Sequence, residues 1–84
     1  MIMDKDGIIM KLETLNEWSE LSGRLIEIEE DDYDYILVIK YETTYQINIL
    51  KQLLHKGEDL KQYLDEEISL LKTDKEYRIK LKHQ

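Results

Sequence analysis

Residues 23–50 of this 84-residue chain read GRLIEIEEDDYDYILVIKYETTYQINIL. This is the longest stretch rich in Ile, Val, Tyr and Thr, the residues that fit a pleated, half-buried surface. Two polar clusters, Glu30-Asp31-Asp32 and Glu42-Thr43, divide it. The pattern therefore predicts a meander of three antiparallel strands, at about residues 24–29, 33–41 and 44–50.

The middle strand of this meander is apolar on both faces. Leu37 and Ile39 alternate with Ile36 and Val38, which predicts a central strand that is covered on both sides. The two outer strands have one apolar face each. Their inward residues are predicted to be Ile26, Ile28, Tyr45, Ile47 and Ile49.

The segments before the meander indicate a short helix. Thr14 and Glu17 have the spacing of a capping box, in which each side chain bonds the backbone of the other. Leu15, Trp18 and Leu21 recur every three residues, and Gly23 suits a helix end. We predict a helix at about residues 14–21 with Trp18 as its core anchor; a binding role for Trp18 is the alternative. The apolar patch at residues 8–12 fits a short edge strand or a tether across the core.

After residue 50 the pattern changes to helical spacing and then returns to alternation. A helical turn is predicted at residues 50–54 and a second helix at residues 58–66, after Gly57. Residues 68–72 and 76–82 then form a hairpin across Thr73-Asp74-Lys75. The residues expected in the core are Trp18, Ile26, Ile28, Leu37, Ile39, Ile47, Leu60, Leu64, Ile79 and Leu81.

This order of elements predicts a single α+β domain that is mostly β. Five short strands around one core tend to curl, which hides most sheet edges. We therefore expect a small five-stranded antiparallel barrel or a strongly bent sheet, with an N-terminal helix and a helical insertion between the third and fourth strands.

Two short segments resemble the Sm-like small barrel, a relative in shape of SH3-like barrels. Residues 21–25, LSGRL, followed by Ile28-Glu29, are similar to the opening of the first Sm motif. Residues 70–75, LLKTDK, are similar to the second motif, although Thr73 stands where that family has Gly. The resemblance implies an Sm-like or SH3-like topology. It does not imply uridine binding, because the Asp and Met-Asn that contact uridine have no counterpart at residues 29–33.

Composition and charge exclude several classes of protein. The chain has no Cys, which rules out disulfides and thiolate metal sites and fits a reducing cytoplasm. No window approaches the apolar length of a membrane span. The net charge is −7, with −8 in residues 1–42 and +1 in residues 43–84. This balance opposes non-specific binding to nucleic acid or to an anionic membrane.

The most conspicuous cluster of side chains is an acidic run at the first turn of the meander. Its members are Glu27, Glu29, Glu30, Asp31, Asp32 and Asp34. A solvated strand face is the usual meaning of such a run. Calcium binding is disfavoured, because the run lacks the spacing of a calcium loop. A surface for a basic protein partner, or a mimic of the nucleic acid backbone, is the functional alternative.

A second cluster of charges is a basic row on the last hairpin. Its members are Lys72, Lys75, Arg78, Lys80 and Lys82. Such a row can protect an edge strand from unwanted pairing or can contact phosphates. Tyr77 is predicted to point inward, which leaves the row without the aromatic platform typical of single-strand binding.

No catalytic constellation is evident. His55 and His83 are far apart in the sequence, and neither has the further ligands that zinc requires. Ser19, Ser22 and Ser69 have no nearby His, and so short a chain leaves little room for a pocket. We therefore expect no enzyme, no cofactor and no metal.

The function expected from the sequence is a non-enzymatic protein-interaction or regulatory module. The acidic run would be its partner face, and weak dimerisation through strand edges is expected. The alternative is a nucleic-acid-binding Sm-like barrel that uses the basic hairpin.

Overall fold

The computed structural model describes the backbone of residues 2–3, 9–13 and 15–82, and the side chains of residues 15–82. These described residues form seven strands: β1 (Ile2–Met3), β2 (Ile9–Glu13), β3 (Ser19–Glu30), β4 (Asp34–Tyr41), β5 (Thr43–Leu50), β6 (Glu67–Lys72) and β7 (Tyr77–Leu81). Between β5 and β6 lie two 3₁₀ turns, Lys51–Leu53 and Leu60–Tyr63. We call residues 51–66 the insertion.

The strands form one mixed sheet in the order β1-β2-β5-β4-β3-β6-β7. The five strands from β5 to β7 in this order are antiparallel, and β2 joins β5 in parallel. The meander and the final hairpin are thus confirmed. The apolar patch near the N-terminus contributes β2, which lies between β1 and β5 and is not an edge strand. The sheet is not closed, so a complete barrel does not form.

Strand β3 is the longest element and belongs to both halves of the sheet. Its first half, from Ser19 to Arg24, pairs with β6, and its second half, from Arg24 to Glu30, pairs with β4. A register shift between Leu25 and Glu27 marks a β-bulge at the point where the partners change. Bulges bend a strand and increase its twist, so β3 folds the sheet around the core.

Gly23 allows the two halves to come together at this bend. A Cβ atom at this position would lie 2.8 Å from Ile39 Cγ2 and 2.8 Å from the Lys40 carbonyl oxygen. Only glycine avoids that overlap. The prediction that Gly23 ends a helix is therefore wrong, because this residue lies inside β3 and serves close approach.

The predicted N-terminal helix is absent. Glu17 and Trp18 lie in a turn, and β3 already begins at Ser19. Trp18 has a φ of 63° and a side chain that is 66% exposed, so its assignment to the core is wrong. Leu15 takes the buried position instead. Thr14, the other half of the predicted capping box, lies outside the described residues.

The predicted helical insertion is also absent as a helix. Residues 58–66 contain only the 3₁₀ turn Leu60–Tyr63, which the Asp59 side chain caps by accepting from the Lys61 N–H at 3.1 Å. Leu60 is buried as predicted, but Leu64 is 42% exposed. A 3₁₀ turn places residues three apart on one side. Leu60 and Tyr63 accordingly pack on the core, whereas Leu64 does not.

The core lies between the concave side of the sheet and the insertion. Leu37, Ile39 and Ile47 are buried as predicted, as is Ile79, while Ile28 and Leu81 are partly buried against them. The prediction fails at Ile26, which is 38% exposed, whereas Leu25 is fully buried. The bulge explains this exchange, because an extra residue reverses which side chains face inward. Within residues 15–82, the buried cluster consists of Leu15, Leu25, Leu37, Ile39, Ile47, Ile49, Leu60, Ile68, Leu70, Tyr77 and Ile79.

The bulge predicts that truncating two adjacent side chains lowers the free energy of unfolding by very different amounts. Leu25→Ala should lower the free energy of unfolding by about 2–5 kcal/mol, since it empties a fully buried site. Ile26→Ala should lower it by less than about 1 kcal/mol. Urea unfolding of the two variants checks this, and equal losses would contradict the bulge.

Candidate functional site

The structure gathers the acidic run into one hairpin. Glu27, Glu29 and Glu30 lie at the end of β3, Asp31 and Asp32 in the turn. These five residues are exposed, whereas Asp34, the first residue of β4, is half-buried. We call these six residues the acidic ridge. Glu29 and Glu30 are neighbours in β3, so their side chains point to opposite faces of the sheet.

Asp31 has a structural role in that ridge. Its Oδ1 accepts from the Tyr33 N–H at 2.9 Å and from the Asp34 N–H at 2.7 Å, the arrangement of an Asx turn. The bond from Asp34, followed by that from Tyr33, lowers the pKa of the Asp31 carboxyl. The carboxylate therefore stabilises the turn that the sequence predicted here.

Glu30 ties the same hairpin to the insertion. Its Oε2 lies 2.6 Å from the Lys51 Nζ, and that ammonium lies 5.3 Å from the centre of the Tyr35 ring. The hydrogen bond that Lys51 donates to Glu30 is the main reason why the pKa of Lys51 is raised. The side chains of Glu27, Glu29 and Asp32 make no hydrogen bond or ion pair with any residue in 15–82. No group of three or more His, Asp or Glu side chains in that range is placed to hold a metal ion.

The basic row divides between the two faces of the last hairpin. Arg78 and Lys80 lie on the solvent face of β7, and Lys82 follows the end of the strand, with its Nζ 5.9 Å from the centre of the Tyr41 ring. All three are exposed. Lys72 lies opposite Tyr77 in the ladder, and its Nζ lies 5.5 Å from that ring and donates to the Thr73 carbonyl. Lys72 therefore leaves the row and packs on the other face.

Lys75, the fifth member of the predicted row, lies in the β6–β7 turn. Its N–H and that of Glu76 donate to the Thr73 Oγ1, at 3.1 and 3.0 Å. The Thr73 hydroxyl donates in turn to the Glu76 carbonyl. The turn is thus closed by a threonine, where the Sm-like family has glycine.

Glu76 joins the basic row to the insertion. Its Oε2 lies 2.6 Å from the Arg78 Nε and 2.7 Å from the His55 Nδ1. The hydrogen bond from Arg78, together with that from His55, lowers the pKa of Glu76. The backbone is joined at the same place, because the His55 N–H donates to the Tyr77 carbonyl at 2.8 Å.

A cavity of about 370 Å³ opens beside this junction. One of its walls is Ser69, which is only 5% exposed and whose Oγ has no hydrogen-bond partner. Polar groups that are buried in a folded protein are usually paired, so this hydroxyl is an exception. The cavity is lined by Glu20, His55, Glu58, Ser69, Leu71, Arg78, Ile79 and Lys80.

A second, shallower groove of about 380 Å³ adjoins the first and shares Leu71 and Arg78 with it. Trp18 forms one wall, and Lys75 lies on the β6–β7 turn beside it. A positive φ is rare and strained for a bulky residue, and such strain persists only where the surroundings impose it. The Trp18 N–H donates to the Lys72 carbonyl, which holds the residue in this position.

The sequence prediction placed Trp18 in the core and did not identify the cavity beside the buried Ser69. The three-residue spacing around Trp18 suggested a helix, and only the pairing of β3 with β6 shows that this segment is extended. Ser69 lies between Ile68 and Leu70 in β6. This alternation predicts that its side chain points to the other face of the sheet, but it does not predict that the side chain is buried. Residues from four separate segments line the cavity, so no pattern within one segment predicts it.

No protein-family model, no curated protein and no solved structure matches this chain. Over the described residues, the structure contains no helix with the length and apolar character needed to cross a membrane.

The Asx turn predicts a pH-dependent contribution of Asp31 to stability. Because its pKa is lower in the folded state, ionised Asp31 stabilises the fold at neutral pH, and this contribution is lost as the pH falls through the folded-state pKa. Asp31→Asn should keep the turn but flatten the acid limb of the stability curve. Asp32→Asn serves as the control, and urea unfolding from neutral pH to about pH 3 measures both. Identical curves for the two variants would contradict the role of Asp31.

Proposed function

We propose that this protein is a non-enzymatic protein-interaction module whose contact surface is centred on Trp18. The observation that carries this proposal is the position of the indole, two-thirds exposed and held at positive φ beside a groove. Tryptophan is enriched among the residues that dominate binding energy at protein interfaces. The adjoining groove offers both apolar surface, from Leu71, and charge, from Lys75 and Arg78.

The geometry of the cavity supports a role in binding rather than catalysis. His55 and Ser69 line the same cavity, but the Ser69 Oγ is not within hydrogen-bond reach of any group. A serine nucleophile requires a base that is placed to take its proton. The His55 Nδ1 is engaged by Glu76, which fixes the ring at the junction between the insertion and β7.

The acidic ridge is a second surface of the proposed module. Glu27, Glu29 and Asp32 are exposed, and their mutual repulsion is relieved when a basic partner approaches. The ridge therefore serves to accelerate association with a basic protein by electrostatic steering. Weak dimerisation is also part of the proposal.

Single-stranded nucleic acid is the second candidate ligand. One specific observation favours it, because Trp18 lies in the same groove as Lys75 and Arg78 and supplies an aromatic platform. Asp74 and Glu76 line that groove as well and oppose a phosphate backbone. A gel shift with short RNA and DNA strands at physiological ionic strength separates the two functions, and we expect no shift.

Replacing Trp18 should separate binding from folding. Trp18→Ala should change the free energy of unfolding by less than about 1 kcal/mol, because the side chain is largely exposed and Ala keeps the Cβ on which the strain at positive φ depends. Affinity capture from the native host, read by mass spectrometry, should lose the partner that the unchanged protein retains. Leu64→Ala is the matched control, since Leu64 is 42% exposed and belongs to neither of the proposed contact surfaces. Retention of the same partner by Trp18→Ala would refute the proposal.

A further inference from the structure

Strand β7 forms one edge of the sheet. Among residues 15–82, the insertion bonds the outer side of this strand only at its first residue, Tyr77. Leu54 bridges to Tyr77, and the His55 N–H bonds the Tyr77 carbonyl. The chain then turns away through Gly57, whose φ is 88°. Among the residues that the structure describes, none bonds the outer edge of β7 beyond Tyr77.

Beyond Tyr77, the backbone groups that β7 directs away from β6 are those of Ile79 and Leu81. The Lys82 N–H donates to the Glu67 carbonyl at 2.9 Å, and the Thr73 N–H donates to the Glu76 carbonyl at 2.8 Å. The even-numbered residues of this strand thus bond β6, and neighbouring residues in a strand direct their backbone groups to opposite sides. Ile79 and Leu81 therefore present N–H and C=O groups to a further strand.

The cavity that contains Ser69 opens at this same edge, because Ile79, His55 and Glu58 line it. Ser69 lies opposite Lys80 in the β6–β7 ladder, so both side chains point to the same face. The Oγ of Ser69 is buried without a partner, and such a group destabilises the fold until something bonds it. A ligand with an acceptor at this point would satisfy it.

The charges beside the cavity indicate which acceptor is suitable. Arg78 and Lys80 line the cavity from β7, and Lys82 follows the strand, within a chain whose net charge is −7. The Arg78 Nε is bonded to Glu76, so Lys80 is the cation of this strand that has no ion pair among residues 15–82. Glu20 and Glu58 lie on the other walls, and Glu58 is held towards the insertion by the Tyr63 hydroxyl, at 3.0 Å. The β7 side of the cavity is thus suited to a carboxylate.

The same row argues against a second copy of this chain at this edge. Antiparallel pairing of β7 with itself around Lys80 would place Lys80 against Lys80 and Arg78 against Lys82. Like charges that lie directly opposite each other destabilise a strand pair. The edge is therefore better matched to a foreign strand of opposite charge.

We propose that the free edge of β7 binds an extended peptide with acidic side chains at alternate positions, by strand addition. The peptide backbone pairs with Ile79 and Leu81, and its carboxylates lie against Arg78, Lys80 and Lys82. The carboxylate nearest Lys80 also accepts a hydrogen bond from the Ser69 hydroxyl. This inference rests on the proposed protein-binding function and specifies the chemistry of one partner segment.

The test uses an end-blocked synthetic peptide of alternating Thr and Glu residues, with the corresponding Thr–Lys peptide as its control. The acidic peptide should bind, slow the amide hydrogen exchange of Ile79 and Leu81, and leave the exchange of β4 unchanged. Lys80→Glu should weaken binding about fivefold, the effect of one cross-strand charge pair. Lys61→Glu makes the same charge change on the insertion and should leave the affinity unchanged.

Leu81→Pro provides a second variant, because it removes an outward N–H without touching the bonds to β6. It should abolish binding, whereas Leu81→Val should retain it. Failure of the acidic peptide to bind, equal binding of the Thr–Lys peptide, or unchanged exchange at Ile79 and Leu81 would each overturn the inference. If the peptide tests fail but capture of the native partner still depends on Trp18, only this inference is wrong. If capture of the native partner does not depend on Trp18, the proposed function is wrong.

Discussion

The bend of β3 is the constraint on which the rest of the structure depends. One strand pairs with β6 along its first half and with β4 along its second half, so a single chain segment carries two differently oriented parts of the sheet. Two local features make the bend possible. Gly23 removes a Cβ that would overlap Ile39 and Lys40, and the bulge after Leu25 reverses the inward side of the strand. Leu25 consequently reaches the centre of the core.

The insertion covers the core that this bend creates, with Leu60 buried in it. Backbone hydrogen bonds near its two ends hold the insertion in place. The Asp65 N–H and the Glu66 carbonyl bond the backbone of Leu25, directly at the bend. The guanidinium of Arg24 donates to the Asp65 carbonyl at 2.9 Å. At the other end, His55 bonds Tyr77 and Glu76 on the edge of the sheet. The insertion needs no helix, because these contacts hold it at both ends.

The way in which the core is covered also leaves the candidate binding surfaces exposed. The insertion reaches β7 at Tyr77 and then departs, which leaves the remainder of that edge open and creates the cavity beside it. The turn that leads into β3 places Trp18 on the outside, next to the β6–β7 turn. The exposed indole, the cavity and the cation row are thus neighbours, since Arg78 and Leu71 line both depressions. The acidic ridge lies on the β3–β4 hairpin. Two of its members already have structural roles, because Asp31 bonds the turn and Glu30 bonds Lys51 of the insertion.

The sequence by itself determined the strands of the meander and the final hairpin, because alternation of apolar and polar residues is a local property with a period of two. It also determined the turn at Asp31, since an Asp side chain bonds the backbone two and three residues ahead of it. Only the tertiary structure decided the inward face of β3, because one extra residue in a bulge changes every assignment around it. The same holds for Trp18 and Leu64, whose spacing fits a helix in isolation but whose burial depends on distant partners. The cavity at Ser69 and the open edge of β7 depend on where segments that are remote in the chain lie in space. The periodicity of a single segment does not contain that information.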